Sequence, residues 1–372
     1  MGSRITAGQI KRNIVLSITA QVVSLCVSII MNLIVPRFID IEQFAKWQVF
    51  TLYFSYVGIL HFGLLDGIML RYSQYDVDEL DKEVMRSQFK TLLVISILLC
   101  LLGLGVAASL DNRVSKEILV LLSIGVILQN MYTYNSYLFQ ITNRISKYAL
   151  LIISNRVFDG ALVLLFLFLG VNEFEWYCVA AIAALVFGIV ISSFMNKGMY
   201  FGHSLALNDA VNETIANLKA GILLLIANWA SMLILSGAKM VVQWRWDLIT
   251  FGKVSFAFSL VSLFLTVVTA VSIVVFPSMK RLDEERLQSI YHNARNTLTP
   301  LLFAMLCLYF PACKLIEWWL PAYSESVVYL GIMFPLIIYT SLVSLLTNNY
   351  LKAYRQEKMM LYMVLPFFEL VG

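Results

Sequence analysis

Charge is scarce in this chain of 372 residues: Asp, Glu, Lys and Arg together make up 13% of it, about half the usual quarter of a soluble domain. Hydrophobic residues make up 60%. So apolar a chain cannot turn its side chains to water and must use lipid as its solvent. Histidine is equally sparse, and His61, His203 and His292 are scattered. With no H-E-x-x-H and no Ser/His/Asp arrangement, no catalytic constellation is present, and the protein is not expected to be an enzyme. The absence of a G-x-x-x-x-G-K-[ST] phosphate loop excludes an intrinsic ATPase. The five cysteines (Cys26, Cys100, Cys178, Cys307, Cys313) sit inside or at the ends of apolar runs without C-x-x-C spacing. Disulfides, zinc, other metals and cofactors are therefore not expected. A cleavable secretory signal is missing too: the first apolar run, 13–35, is too long, lacks a small-x-small site and leads into Pro36-Arg37.

What the chain has is a succession of apolar runs, near 13–35, 44–66, 91–110, 117–139, 148–169, 174–195, 219–242, 251–276, 297–316 and 326–349. Each approaches the roughly 20 residues that cross a bilayer as a helix. An eleventh begins near 358 and stops at Gly372. The loops between them are too short to hold a folded domain.

Lys and Arg alternate in density from loop to loop. One side carries eighteen, including Arg12, Arg71, Lys82, Arg86, Lys90, Arg144, Lys147, Lys280, Arg281 and Arg355. The other carries seven: Arg37, Lys46, Arg113, Lys116, Arg245, Lys253 and Lys314. The positive-inside rule then predicts a cytoplasmic N-terminus. Trp47, Trp176, Trp244, Trp246, Trp318 and Trp319 fall at the predicted outer boundaries, where an interfacial indole keeps its N–H wet.

The two halves of the chain align with each other. At an offset of 207, Phe251-Gly252-Lys253 falls on Phe44-Ala45-Lys46, Asp247 on Asp40, Asn228-x-x-Ser231 on Gln21-x-x-Ser24 and Lys239 on Asn32. Arg144-x-x-Lys147 and Arg355-x-x-Lys358 match at 211. These coincidences predict an all-α polytopic membrane protein of two pseudo-symmetric six-helix bundles related by an axis along the membrane normal, a plan to which the resemblance given below adds a central cavity. The expected division is 1–212 and 213–372, with the second bundle about one helix incomplete.

Ionisable groups inside the membrane are costly and are functional candidates by default. Arg156 and Asp159 stand at i,i+3 within the fifth run, on one face and within mutual reach. They are either a switchable pair facing a cavity or a pair that neutralises itself. Lys239 lies about one turn from the end of the seventh run, where it either grips an anionic group or snorkels to the interface. Asp66, in Gly63-Leu64-Leu65-Asp66-Gly67, marks a bend where it meets a cation or a proton, or pairs with Arg71. His61 is a proton carrier or an interhelical hydrogen-bonding group. In the fourth run, Gln129, Thr133, Ser136 and Gln140 recur at i, i+4, i+7 and i+11, with Asn130, Tyr134 and Tyr137 beside them. Such a neutral polar stripe suits a watery cavity that must slide past sugar hydroxyls, the alternative being glue between helices. Asn32, Asn155 and Asn228 are candidates to line the same space.

Pro36-Arg37-Phe38-Ile39 with Glu42-Gln43-Phe44-Ala45, Gly63-Leu64-Leu65-Asp66-Gly67, Gln140-Ile141-Thr142-Asn143-Arg144-Ile145-Ser146-Lys147-Tyr148-Ala149 and Phe276-Pro277-Ser278-Met279-Lys280-Arg281 carry a family resemblance. Along essentially its whole length the chain resembles the polysaccharide and O-antigen flippases of the multidrug/oligosaccharidyl-lipid/polysaccharide exporter superfamily. That resemblance implies two bundles of 12 or 14 helices in all and a secondary transporter that moves undecaprenyl-diphosphate-linked oligosaccharides from the inner to the outer leaflet. It implies that cationic residues in the cavity engage the diphosphate and sugar; on the residues read above, the expected substrate contacts are Arg156, Lys239, Gln129, Thr133, Ser136, Asn32 and Asn228, and, with no ATPase, Asp66, Asp159 and His61 are the coupling-ion candidates. Membrane lipids and a polysaccharide polymerase are the further partners it suggests, and no nucleic acid. Lys239 stands where such proteins often have arginine, keeping the charge without the bidentate fork. A multidrug antiporter of the same superfamily and a membrane polysaccharide polymerase are the alternatives. The polymerase would need a large outer loop, which this chain lacks.

Overall fold

The computed structural model describes residues 7–73, 75, 77–279 and 284–343. Among them the chain is all helix, with no strand. In order the helices are α1 (Ala7–Ile29), α2 (Val35–Phe38), α3 (Ile41–Val57), α4 (Leu64–Tyr72), α5 (Lys82–Ala108), α6 (Arg113–Ile141) and α7 (Ile145–Phe168). There follow α8 (Phe174–Met195), α9 (Leu207–Arg245), α10 (Leu248–Met279), α11 (Glu284–Met305), α12 (Tyr309–Trp319), α13 (Ser326–Met333) and α14 (Leu336–Leu342). Seven described helices are long and apolar enough to cross a membrane. The chain is a multi-pass membrane protein with the two-bundle fold expected of it. The run beginning near 358, the Arg355-x-x-Lys358 motif and Lys280-Arg281 lie outside the described residues.

Four of the expected spans are interrupted, each for a local reason. Pro36 has no N–H to offer the Asn32 carbonyl four residues back. The chain widens there to a π-helical turn, Ile30–Ile34, in which the Val35 N–H reaches the Ile30 carbonyl. The 44–66 run divides into α3 and α4, because Phe62 (φ 53°) and Gly63 (φ 88°) adopt the left-handed region. Pro311 cannot donate to Cys307, and a 3-10 turn, Leu306–Leu308, separates α11 from α12. Between α13 and α14 stands Pro335.

Helix ends are fixed by their own residues. Asp81 caps α5 by accepting from the Glu83 (2.8 Å) and Val84 (3.3 Å) N–H groups. Asn112 accepts the Ser115 N–H at 3.0 Å at the start of α6. That helix ends in a Schellman arrangement on Asn143 (φ 53°), with Arg144 N–H donating to Phe139 O at 2.8 Å and Asn143 N–H to Gln140 O at 3.0 Å. The Thr142-Asn143-Arg144 part of the family-like motif is thus a helix stop. At α10, the Thr250 hydroxyl and N–H hold the exposed Asp247 carboxyl below its usual range.

Contacts group the residues into two compact units, Met1–Val23 with Lys46–Met232, and Ser24–Ala45 with Leu233–Gly372. By packing, the chain therefore changes unit inside α1, α3 and α9. The division expected at 212/213 rests on the repeat alone and remains a proposal.

The first unit is built on a core in which Leu64, Leu65 and Ile68 of α4 meet Met85 and Leu92 of α5, Met131, Tyr134 and Leu138 of α6, and Tyr200. Here α4 lies directly on α9. A Cβ on Gly221 would strike the Gly63 carbonyl and the Gly67 amide, and one on Gly67 would strike the Asn217 carbonyl. In the second unit Phe44 meets Phe256 and Tyr323 edge-on, and Phe256 and Tyr323 are tilted against each other, with ring centroids 4.8–6.4 Å apart. The repeat-equivalent residues Ala45 and Gly252 touch each other, since a Cβ on Gly252 would come within 2.8 Å of that of Ala45. Lys253 closes this unit on Glu325 at 2.6 Å, and the Trp319 indole donates to the Leu33 carbonyl at 2.9 Å.

Gly67→Ala should lower unfolding stability in detergent by about 1–3 kcal/mol, because its new methyl group meets rigid backbone. Gly105→Ala, whose Cβ would meet nothing within 4 Å in α5, should be neutral or stabilising by about 0.5–1 kcal/mol. Thermal unfolding of the two variants side by side checks the difference.

Candidate functional site

α6 carries two polar faces with different fates. On one, Asn130 donates to Ser96 of α5 at 2.9 Å, the Tyr134 hydroxyl to the Met85 carbonyl at 2.9 Å, and Asn135 accepts from Asn196 at 3.2 Å and from Tyr200. All four of these α6-side bonds reach other segments, and Asn130, Tyr134 and Asn135 are buried. This is the glue that holds the first unit together. On the other face the bonds run along the helix itself. Gln129 donates to the Thr133 hydroxyl at 3.3 Å, Thr133 to the Gln129 carbonyl at 2.8 Å, and Gln140 to the Ser136 hydroxyl at 3.3 Å. Gln129, Thr133 and Gln140 are half-buried and Ser136 is 9% exposed. The stripe thus satisfies itself at i,i+4 and keeps lone pairs and amide protons for a polar occupant.

The break between α3 and α4 assembles a second polar cluster. His61 and Asp66 are both buried. The Gly63 N–H donates to His61 Nδ1 at 3.1 Å, so the neutral ring carries its proton on Nε2, which faces Asp66 Oδ2 at 3.8 Å. That gap is too long for a direct hydrogen bond, and among the described residues the buried Asp66 Oδ2 has no hydrogen-bond partner. The Tyr137 hydroxyl approaches the same carboxyl from α6. His61 therefore makes a local backbone bond where an interhelical one was the expected alternative.

Arg71 corrects a second expectation. It does not pair with Asp66, which lies five residues back on a short helix and points into the core. Its guanidinium instead forks onto Glu213 of α9 and donates to Asn217 Oδ1 at 2.6 Å. Tyr72 donates to the same Glu213 carboxylate. Asn217 and Thr214 each donate to Gln88 of α5 at 3.2 Å, and Gln88 donates to the Ala210 carbonyl at 3.4 Å. Three helices are joined by one chain of hydrogen bonds across the glycine contact. Sequence reasoning missed Glu213, Asn217 and Gln88, whose only signal is that each interrupts or borders an apolar run.

The remaining candidates are dispersed. Asp159 is buried in α7 while Arg156 is exposed, and among the described residues no ion pair within 4 Å joins them. The i,i+3 neighbours thus lie close enough for the Arg156 charge to act on Asp159 without closing to an ion pair. Asn228 is exposed on α9 in the first unit. In the second unit, Asn32 sits in the π-helical turn and donates back to the Ser28 carbonyl at 2.8 Å, and Lys239 is half-buried on α9. Asn155 is half-buried on α7.

No protein-family model matches the chain, and no curated protein matches it in sequence. Its fold, however, is similar to that of solved transporters. An inward-facing multidrug resistance MATE family transporter of the MOP superfamily superposes with a TM-score of 0.70 at 12% identity, covering 92% of this chain and 87% of that one. An outward-facing structure of such a transporter gives 0.55 at 12% identity, covering 95% and 84%. A MOP superfamily transporter from Pyrococcus furiosus, described as having a binding pocket of reversed polarity, gives 0.53 at 11%, covering 95% and 85%. The chain has the MATE transporter fold of two helical bundles.

A double-mutant cycle on Arg71→Leu and Glu213→Leu should return a coupling of about 1–3 kcal/mol in unfolding stability, each single variant being worse than the pair. A cycle that sums to zero would mean that the two side chains act independently.

Proposed function

We propose that the protein is a secondary transporter of the bacterial cytoplasmic membrane that flips undecaprenyl-diphosphate-linked oligosaccharide units from the cytoplasmic to the outer leaflet by alternating access. The observation that carries this reading is the α6 stripe. Four neutral hydrogen-bonding side chains at helical spacing, whose bonds among the described residues run along their own helix, suit a hydroxyl-rich head better than a hydrophobic cation. The exposed Arg156 and the half-buried Lys239 supply cations for a diphosphate. The polyprenyl tail can stay in lipid, so only the head needs a polar path. Solved inward- and outward-facing transporters of the same fold support alternating access. In this reading Asn32 and Asn228 add substrate contacts, Asp66, Asp159 and His61 are the coupling candidates, the N-terminus is cytoplasmic, and a polysaccharide polymerase takes the product.

A second reading has its own support. Asp66 and Asp159 are buried carboxylates, and several neighbours of the same fold are multidrug transporters. An acidic interior suits export of cationic drugs in exchange for protons or sodium.

Deleting the gene in its native host and labelling lipid-linked units with a non-permeant reagent separates the two. Flipping predicts accumulation in the cytoplasmic leaflet, reversed by the wild-type gene. Arg156→Gln and Lys239→Gln should each cut that rescue about tenfold at normal membrane levels of protein, the equivalent of one weakened charge-assisted contact. An unchanged leaflet distribution together with new sensitivity to cationic drugs would establish the second reading instead.

A further inference from the structure

Away from the stripe and the His61 cluster, the first unit has an open cavity of about 720 Å³ where the N-terminal ends of α6 and α8 meet. Its volume is that of a small-molecule pocket. Its charged wall comes from Arg113, Lys116 and Glu117 of α6 and from Glu173 and Glu175 at the start of α8. Below these lie Val120, Val179 and Trp176. Trp176 is half exposed and packs on Phe166 at 5.6 Å. An indole at the end of a membrane span marks the lipid–water boundary, so the cavity sits at headgroup depth with an apolar wall leading toward the acyl region.

The charges are not balanced within the cavity. Arg113 is held by Glu117 at 2.7 Å. The Arg113 charge also reaches Glu175, but two cations stand against three carboxylates in the lining, and among the described residues the buried Glu175 Oε2 atom has no hydrogen-bond partner. A buried carboxylate oxygen needs a donor.

We propose that this cavity binds a zwitterionic phospholipid with a primary ammonium headgroup, of the phosphatidylethanolamine class. The ammonium donates to Glu175 and Glu173, the phosphate meets Lys116, and an acyl chain lies along Val120, Val179 and Trp176. A choline headgroup has the same charge but no N–H to offer Glu175, and a glycerol headgroup brings net negative charge to two carboxylates. The site selects for a hydrogen-bonding cation, not merely for a lipid. It requires only that the chain spans a membrane and holds whichever cargo the transporter carries.

The test is native mass spectrometry of the purified full chain, titrated with phosphatidylethanolamine, phosphatidylcholine and phosphatidylglycerol of identical acyl chains. The wild-type protein should retain the ethanolamine lipid about tenfold more tightly than the choline lipid, the equivalent of one hydrogen bond to a charged group. Glu175→Gln should erase the preference, and Glu173→Gln, at an exposed position where folding is not at risk, should reduce it. Lys116→Ala should weaken both zwitterionic lipids alike. Equal retention of the ethanolamine and choline lipids by the wild type would overturn the proposal. So would a preference for phosphatidylglycerol, or a preference that survives in both glutamate variants. If Glu175→Gln does not fold, Glu173→Gln decides alone.

Discussion

Lipid offers no hydrogen bonds, so every backbone N–H and C=O in a span must find its partner inside the protein. That constraint makes the described chain all helix, and it governs every place where a helix stops inside a span. At Pro36 the ladder widens to a π-helical turn, and at Pro311 it tightens to a 3-10 turn. The break at 58–63 is the largest. It is tolerated because α4 then lies backbone to backbone on α9, which only Gly63, Gly67 and Gly221 permit, and because Arg71, Glu213, Asn217 and Gln88 bind the same region together. Close glycine packing and satisfied polar chains are alternative means of holding helices together where apolar burial against lipid gives little drive.

The same constraint divides the polar residues by destination. Asn130 and Tyr134 reach other segments, Asn135 accepts from Asn196 and Tyr200 while its amide donates back to Met131, and all three are buried. Gln129, Thr133, Ser136 and Gln140 bond along α6 and keep capacity for something else. Both sets lie on one helix, a residue or two apart. What distinguishes a structural from a functional polar group here is the partner, not the residue type.

This explains how much could be read from the sequence. Span positions follow from composition, and the α6 stripe follows from its spacing, since both depend on neighbours within one helix. The break at Gly63 was legible as a bend because glycine there signals a left-handed turn. Arg71 and Glu213 stand 142 residues apart, and no local pattern tells Arg71 to choose Glu213 over Asp66. Arg156 and Asp159, neighbours at i,i+3, close to no ion pair within 4 Å among the described residues. Spacing of i,i+3 gives proximity of Cβ atoms, while the direction of a long side chain is set by what packs around it.

The central claim is that the α6 stripe faces water. Single cysteines placed along 129–140, in a chain whose five native cysteines have been replaced, can be reacted with a membrane-impermeant, water-soluble thiol reagent in intact membranes. The account predicts labelling at 129, 133, 136 and 140 and protection at 130, 134, 135 and 138, a helical period with one wet face. Protection at all twelve positions, or labelling without a period, would contradict it.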